Sequence, residues 1–233
     1  MDDSVRYRPA YGADRPAMAA LWQQVFGDSP ETIRAFYDAF PQCRAVVAEN
    51  KAGDVVAVVH VLPQTLALDR GPRPVAYLYA VATRPDYRGR GICRGLMAFC
   101  EALLARLGYA LAILTPAEPS LFGYYGSIGY ETAFFRRRTP FPGGREIGWE
   151  EYHRRREALL TEPHITYGPE YYAYLQQAYG IRFYETDDGI AAAAEGYTGE
   201  VLPQDLGGAP FAMAKWLIPP RPFPPGYLGF ALE

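Results

Sequence analysis

Arg88-Gly89-Arg90-Gly91 is the stretch of this 233-residue chain whose residue types and spacing could most directly do chemistry. It lies between an apolar run, Tyr77 to Thr83, and a long amphipathic run that begins at Ile92. That order predicts a strand, a turn rich in glycine and arginine, and a helix whose first amides lie open. Such amides have no partner inside the helix and sit at the positive end of its macrodipole, so an anionic phosphate placed there gains several hydrogen bonds at once. Gly89 and Gly91 remove the Cβ atoms that would hold a pyrophosphate away, and Arg88, Arg90 and Arg94 can add charge-assisted bonds.

The elements around this turn are specified by their patterns. Leu96, Phe99, Cys100, Leu103, Leu104 and Leu107 follow the helical period from Ile92, and Gly108 stands where a helix stops. Tyr109 to Leu114 then reads as a buried strand, so strand, helix and strand imply a right-handed βαβ unit with two parallel strands. Upstream, Val5 to Arg8 reads as a first strand. Asp14 as cap and Pro16 in the first turn start a helix that Gly27 ends, and Ser29-Pro30 starts a second that Pro41 stops. Cys43 to Glu49, Asp54 to Leu62 and Thr65 to Asp69 read as strands, the last two separated by a bend at Pro63.

Three kinds of phosphate loop compete for this pattern. A P-loop needs Gly-Lys followed by a hydroxyl residue, and Gly91-Ile92-Cys93 supplies neither. A dinucleotide fingerprint needs its glycines directly after the strand with G-x-G-x-x-G spacing, whereas Gly89, Gly91 and Gly95 are spaced differently and Arg84 to Arg88 intervene. The third kind is an Arg or Gln followed by x-x-Gly-x-Gly/Ala, and Arg88 to Cys93 match it except at the last position. In this the chain resembles the GNAT (GCN5-related) N-acetyltransferases, whose acetyl-CoA loop has that pattern; Cys93 stands where the family has Gly or Ala.

A second segment adds to the resemblance. Leu114 to Tyr130 (LTPAEPSLFGYYGSIGY) is similar to the family's distal acetyl-CoA region. Leu114, Thr115, Glu118, Tyr125, Gly126, Gly129 and Tyr130 make it especially similar to the enhanced-intracellular-survival type of acetyltransferase. The resemblance implies a GNAT fold over residues 1–140: a mixed, twisted α/β sheet with the βαβ unit at its centre. It implies acetyl-CoA as cosubstrate, held by the backbone of Val81, Ala82 and Thr83 and by the loop Arg88, Gly89, Arg90, Gly91, Ile92, Cys93 and Arg94. The thioester arm would enter a splay between the two parallel strands. Tyr125 takes the place of the family's general acid, which protonates the departing thiolate as an amine attacks the thioester.

The base is not supplied where many family members have it, since Tyr77 to Val81 contain no carboxylate. His60 and Glu118 are candidates, each with a structural reading as a core residue or a helix cap. Survival-type enzymes use their own C-terminal carboxylate, which makes Glu233 the expected base. The expected activity is acetyl transfer to a primary amine on a small molecule or peptide. The alternative, suggested by Cys93 and the missing strand glutamate, is a catalytically weak acyl-CoA-binding or regulatory module.

Composition narrows the setting. A net charge of −3 with 21% charged residues gives no basic field for nucleic acid or an anionic membrane surface, and mildly favours cationic acceptors. No apolar run is long enough to span a bilayer and Met1-Asp2-Asp3 does not open a signal peptide, so a cytoplasmic location is expected. Cys43, Cys93 and Cys100 have no metal-ligand spacing, and no metal is expected. The sequence is silent on oligomeric state. Residues 141–233 read as a small α+β appendage, a degenerate half-GNAT sheet that closes the acceptor site, with helices over Trp149 to Leu160 and Pro169 to Tyr179. The arginine runs 136–138 and 154–156 are read as solvated charged faces.

Overall fold

In the computed structural model, which describes residues 4–68, 71–218 and 226–230, the apolar runs become strands buried on both faces. Strands β1 (Arg6–Pro9), β2 (Arg44–Glu49), β3 (Val55–Ala67) and β4 (Arg73–Thr83) pair antiparallel in sequence order. Helices α1 (Arg15–Phe26) and α2 (Pro30–Ala39) lie between β1 and β2. β4 leads through a 3-10 turn, Pro85–Tyr87, into α3 (Ile92–Arg106) and then β5 (Leu111–Leu114), which pairs parallel with β4. Next come α4 (Pro119–Gly126) and β6 (Glu131–Arg136). The expected α/β architecture with a central βαβ unit is present.

β6 does not pair with β5. Between them lies β12 (Ala209–Trp216), antiparallel to both, so the sheet runs β1-β2-β3-β4-β5-β12-β6. The chain between β6 and β12 makes β7 (Arg145–Ile147), α5 (Trp149–Leu159), β8 (His164–Thr166), α6 (Pro169–Tyr179), β9 (Arg182–Thr186), β10 (Gly189–Ala194) and β11 (Tyr197–Leu202). A second sheet forms from these in the order β11-β10-β9-β7, while β8 returns to pair with β3. Pro63, expected to break the strand, lies inside β3. It falls in the gap between the β2 ladder, which ends at Val61, and the β8 ladder, which starts at Thr65, where the missing amide interrupts neither.

The first sheet is covered on both faces. α3 buries Ile92, Leu96, Met97, Cys100 and Leu104 against Val59, Ala76, Leu78 and Ala112. On the other face Trp22, Phe36 and Phe40 pack with Tyr77 and Ile113, and α6 lays Tyr171 and Tyr174 on Phe40 with ring centroids 6.0 and 5.2 Å apart. Ser29 caps α2 as expected, its hydroxyl accepting from the Thr32 amide at 3.1 Å. Asp14 does not cap α1. Its carboxylate pairs with Arg8 at 2.7 Å and accepts from the Tyr11 amide, which closes the short turn before the helix instead.

Two of the six arginines assigned to charged surface are interior. Arg136 ion-pairs with Asp205 at 3.2 Å, and Arg156 with Glu200 at 3.1 Å. Arg136 also ties the end of β6 to the segment Gly226 to Phe230, the Gly229 carbonyl accepting at 3.0 Å, whereas Arg156 bonds within the inserted region, the Ile165 carbonyl accepting at 2.9 Å. Burying a guanidinium is tolerable where carboxylates and carbonyls meet most of its donors, and here both kinds are supplied, with only Nη2 of Arg156 left without a hydrogen bond to the described residues.

Candidate active site

The arginine-glycine turn has the geometry that an anion site requires. Gly89 and Gly91 hold φ of 73° and 77°, the left-handed region open to glycine at little cost. A Cβ on either would meet no atom within 4 Å, so in this structure the demand for glycine is conformational rather than spatial. Gly91 is the N-cap of α3 and offers no side-chain acceptor, which leaves the opening amides of a 15-residue helix available. Arg88 donates from Nε to the Thr83 carbonyl at 3.1 Å, and Arg90 donates to the Asp86 carbonyl at 2.7 Å, so both brace the turn. Arg94 reaches across to the Ser127 hydroxyl of the α4 end at 3.2 Å.

Upstream of the turn the two parallel strands part. β4 and β5 pair at Val75–Leu111, Ala76–Ala112 and Tyr77–Ile113, and no further. The register of β4 against β3 shifts between Val58 and His60, and Ala80 adopts a φ of 46°. A non-glycine residue there costs about 1–2 kcal/mol, which the flanking ladder must offset. The bulge turns Leu78 to Thr83 away from β5 and opens the sheet.

That opening is a cleft of about 790 Å³. Trp22 and Asp28 enter it from the face of the sheet covered by α1 and α2, while Leu121, Phe122 and Tyr125 enter from the face covered by α4. Val81 lines it, whereas the Ala82 side chain is buried on the α1 side beside Met18 and Leu21, so only its backbone is offered. Tyr125 is almost fully buried, with its ring edge-on to Tyr124 at 5.2 Å. Burial first, and the neighbouring Cys93 second, push its phenol well above the usual tyrosine range. It therefore keeps its proton at any physiological pH. Burial also raises the Cys93 thiol, against hydrogen bonds to Tyr124 and Thr83 that lower it.

The other candidates separate. His60 is fully enclosed by Trp22, Phe36 and Tyr37, and its Nε2 lies 2.8 Å from the Tyr37 hydroxyl. Burial lowers its pKa to about 4. It is a neutral core residue. Glu118 lines the cleft at the N-cap position of α4, but it caps no amide; its carboxylate accepts from the Ser120 hydroxyl at 3.3 Å. Glu233 lies outside the described residues. Asp28 was not legible in sequence. It follows the helix stop at Gly27, and the Trp22 indole, one helical turn and more away, donates to its Oδ2 at 2.6 Å and aims it at the cleft. No motif announces that bond. Among the described residues no group of His, Cys, Asp and Glu is arranged to hold a metal, and no helix is long and apolar enough to cross a membrane.

The acetyltransferase (GNAT) domain model matches residues 6–133, more than half of the chain. The chain belongs to the GNAT acetyltransferase family. Across 145 aligned residues it is 30% identical to N-acetyltransferase Eis of Mycobacterium bovis, covering 56% of this chain and 36% of that protein. It thus spans little more than a third of the length of these curated relatives. Two solved GNAT-like structures share the fold over 92% of the chain. One is a probable N-acyltransferase from Enterococcus faecalis, at 16% identity, 73% of its own length and a TM-score of 0.69. The other is a GCN5-related N-acetyltransferase from Kribbella flavida, at 15% identity, 72% of its length and a TM-score of 0.68.

Proposed function

We propose that this GNAT chain is an N-acetyltransferase that moves an acetyl group from acetyl-CoA to a primary amine by direct attack on the thioester. The observation that carries this reading is the gap between β4 and β5, lined by Tyr125 from one face of the sheet and by Trp22 and Asp28 from the other. A thioester held in the gap would be open to an amine arriving from the second face while its sulfur faces the phenol.

In this reading the loop amides from Arg88 to Arg94 bind the pyrophosphate, and the backbone of Val81 and Thr83, beyond the last pair with β5, holds the amides of the pantetheine arm. Asp28 and Glu118 attract the acceptor ammonium. Tyr125 donates its proton to the thiolate as the C–S bond breaks, and the attacking nitrogen loses a proton to a carboxylate, for which the resemblance to survival-type enzymes offers Glu233. The end of β6 and the start of β12 supply one wall of the acceptor side through Arg136 to Arg138 and Gly208 to Phe211.

A Tyr125→Phe comparison tests the reading. It should lower kcat by about 100- to 10,000-fold, the usual yield of a positioned acid, and leave acetyl-CoA affinity nearly intact. If a broad panel of amines releases no CoA above background from the wild-type chain, the enzyme reading gives way to an acyl-CoA-binding module.

A further inference from the structure

The cleft carries two signs of charge on separate walls. Asp28 and Glu118 provide the acidic side. The basic side is the end of β6, where Arg136, Arg137 and Arg138 all line the cleft. Arg136 is buried and committed to Asp205, but Arg137 and Arg138 are exposed. The backbone that carries them is pinned by the same aspartate: the Arg137 amide donates to the Asp205 carbonyl at 2.9 Å, and the Thr139 amide donates to its Oδ1 at 2.9 Å. The Arg137 guanidinium itself makes no hydrogen bond or ion pair with the described residues, although two carboxylates line the same cleft.

A cation anchored by a buried aspartate and turned toward a substrate cleft is arranged for an anion brought by the ligand. A guanidinium recognises a carboxylate through two parallel hydrogen bonds, so the fit favours a planar anionic group. A polycation, by contrast, would meet repulsion from this wall. The acidic balance of the whole chain favours cationic acceptors, but the local field in the cleft is bipolar.

We propose that the acceptor is a zwitterionic amine, an amino acid or short peptide with a free carboxylate, whose carboxylate is bound by Arg137 while its amine lies toward Asp28 and Tyr125. The proposal rests on the N-acetyltransferase reading and names its substrate class.

The test measures acetyl transfer by the full chain to common amino acids, to the matching carboxamides, and to the diamines putrescine and cadaverine, with mass detection of the product. The carboxylate-bearing acceptors should exceed their carboxamides in kcat/KM by about 10- to 100-fold, the worth of a charge-assisted hydrogen bond. Arg137→Glu should erase that preference, with acetyl-CoA affinity and melting temperature unchanged, and Arg137→Lys should keep part of it. Equal or better turnover of carboxamides or diamines would overturn the proposal and leave the enzyme reading standing. Loss of acetyl-CoA affinity in Arg137→Glu would overturn it too, by assigning the arginine to a CoA phosphate. An absence of product from every amine would overturn both.

Discussion

Met213 of β12 lies directly opposite Leu114 of β5, so the strand that closes the sheet beside the cleft comes from beyond residue 200. On its other edge β12 pairs Ala209 with Arg136 of β6. A fragment ending near residue 140 would therefore leave β5 and β6 with facing edges unpaired and would expose Ile113, Ala133 and Phe134, which are buried in the whole chain. Buried backbone groups left without partners and apolar area returned to water both oppose folding. Residues 1–140 alone should lose near-UV circular dichroism and bind a hydrophobic dye; a cooperative melt like that of the full chain would refute this.

Glu200 and Arg156 form a fully buried ion pair, and the Tyr152 hydroxyl also donates to Glu200. Removing the carboxylate strands a guanidinium among Tyr152, Tyr167 and Tyr227. Glu200→Ala should cost about 3–5 kcal/mol in urea unfolding, the usual range for breaking one side of a buried pair. Replacing both partners by apolar residues of similar volume should cost much less. A double variant as unstable as the single one would show that the pair does more than neutralise itself.

These two relationships mark what the sequence could and could not show. The turn Arg88 to Gly91 was readable because everything it needs is local: a strand end, glycines at positive φ and a helix start. Ser29 capping α2 was readable for the same reason. The place of β12 was not, because a largely apolar run of eight residues states that it is a strand and not which edges it joins. The interior roles of Arg136 and Arg156 were hidden in arginine runs whose neighbours, Arg137 and Arg154, are exposed. Asp205 and Glu200, their partners, stand more than 40 residues away in sequence. Asp28 reaches the cleft only because helix α1 ends where it does and presents the Trp22 indole to it.

Gly91 carries the sharpest test of the cofactor loop. Its φ of 77° is unfavourable for any side chain by about 1–2 kcal/mol, and it stands immediately before the open amides of α3. Gly91→Glu adds to that strain a carboxylate beside the proposed pyrophosphate. Acetyl-CoA binding followed by calorimetry should fall below detection while the far-UV spectrum is kept. Retained affinity would remove the loop from the binding site. Gly95→Ala asks a different question in the same helix, because a Cβ there would run into the Tyr7 ring that packs on α3. Overpacking of that kind costs about 1–3 kcal/mol, so the loss should appear in stability first.

His60 predicts how the fold responds to acid. Its folded pKa is lowered to about 4 from 6.5, chiefly by burial, with the backbone at Ala80 and Tyr79 acting in the opposite direction. Above pH 6.5 the imidazole is neutral in both folded and unfolded chains and contributes no slope. Between 6.5 and 4 the unfolded chain takes up a proton that the folded chain refuses, so stability falls as pH falls, and below 4 the loss is complete. A shift of this size corresponds to on the order of 3 kcal/mol over the whole window. Urea unfolding at pH 7 and pH 5 should therefore show a drop for the wild-type chain that is much smaller in His60→Gln. Equal drops in the two proteins would mean that His60 gains a proton in the folded state, and with it the charge that a general base acquires.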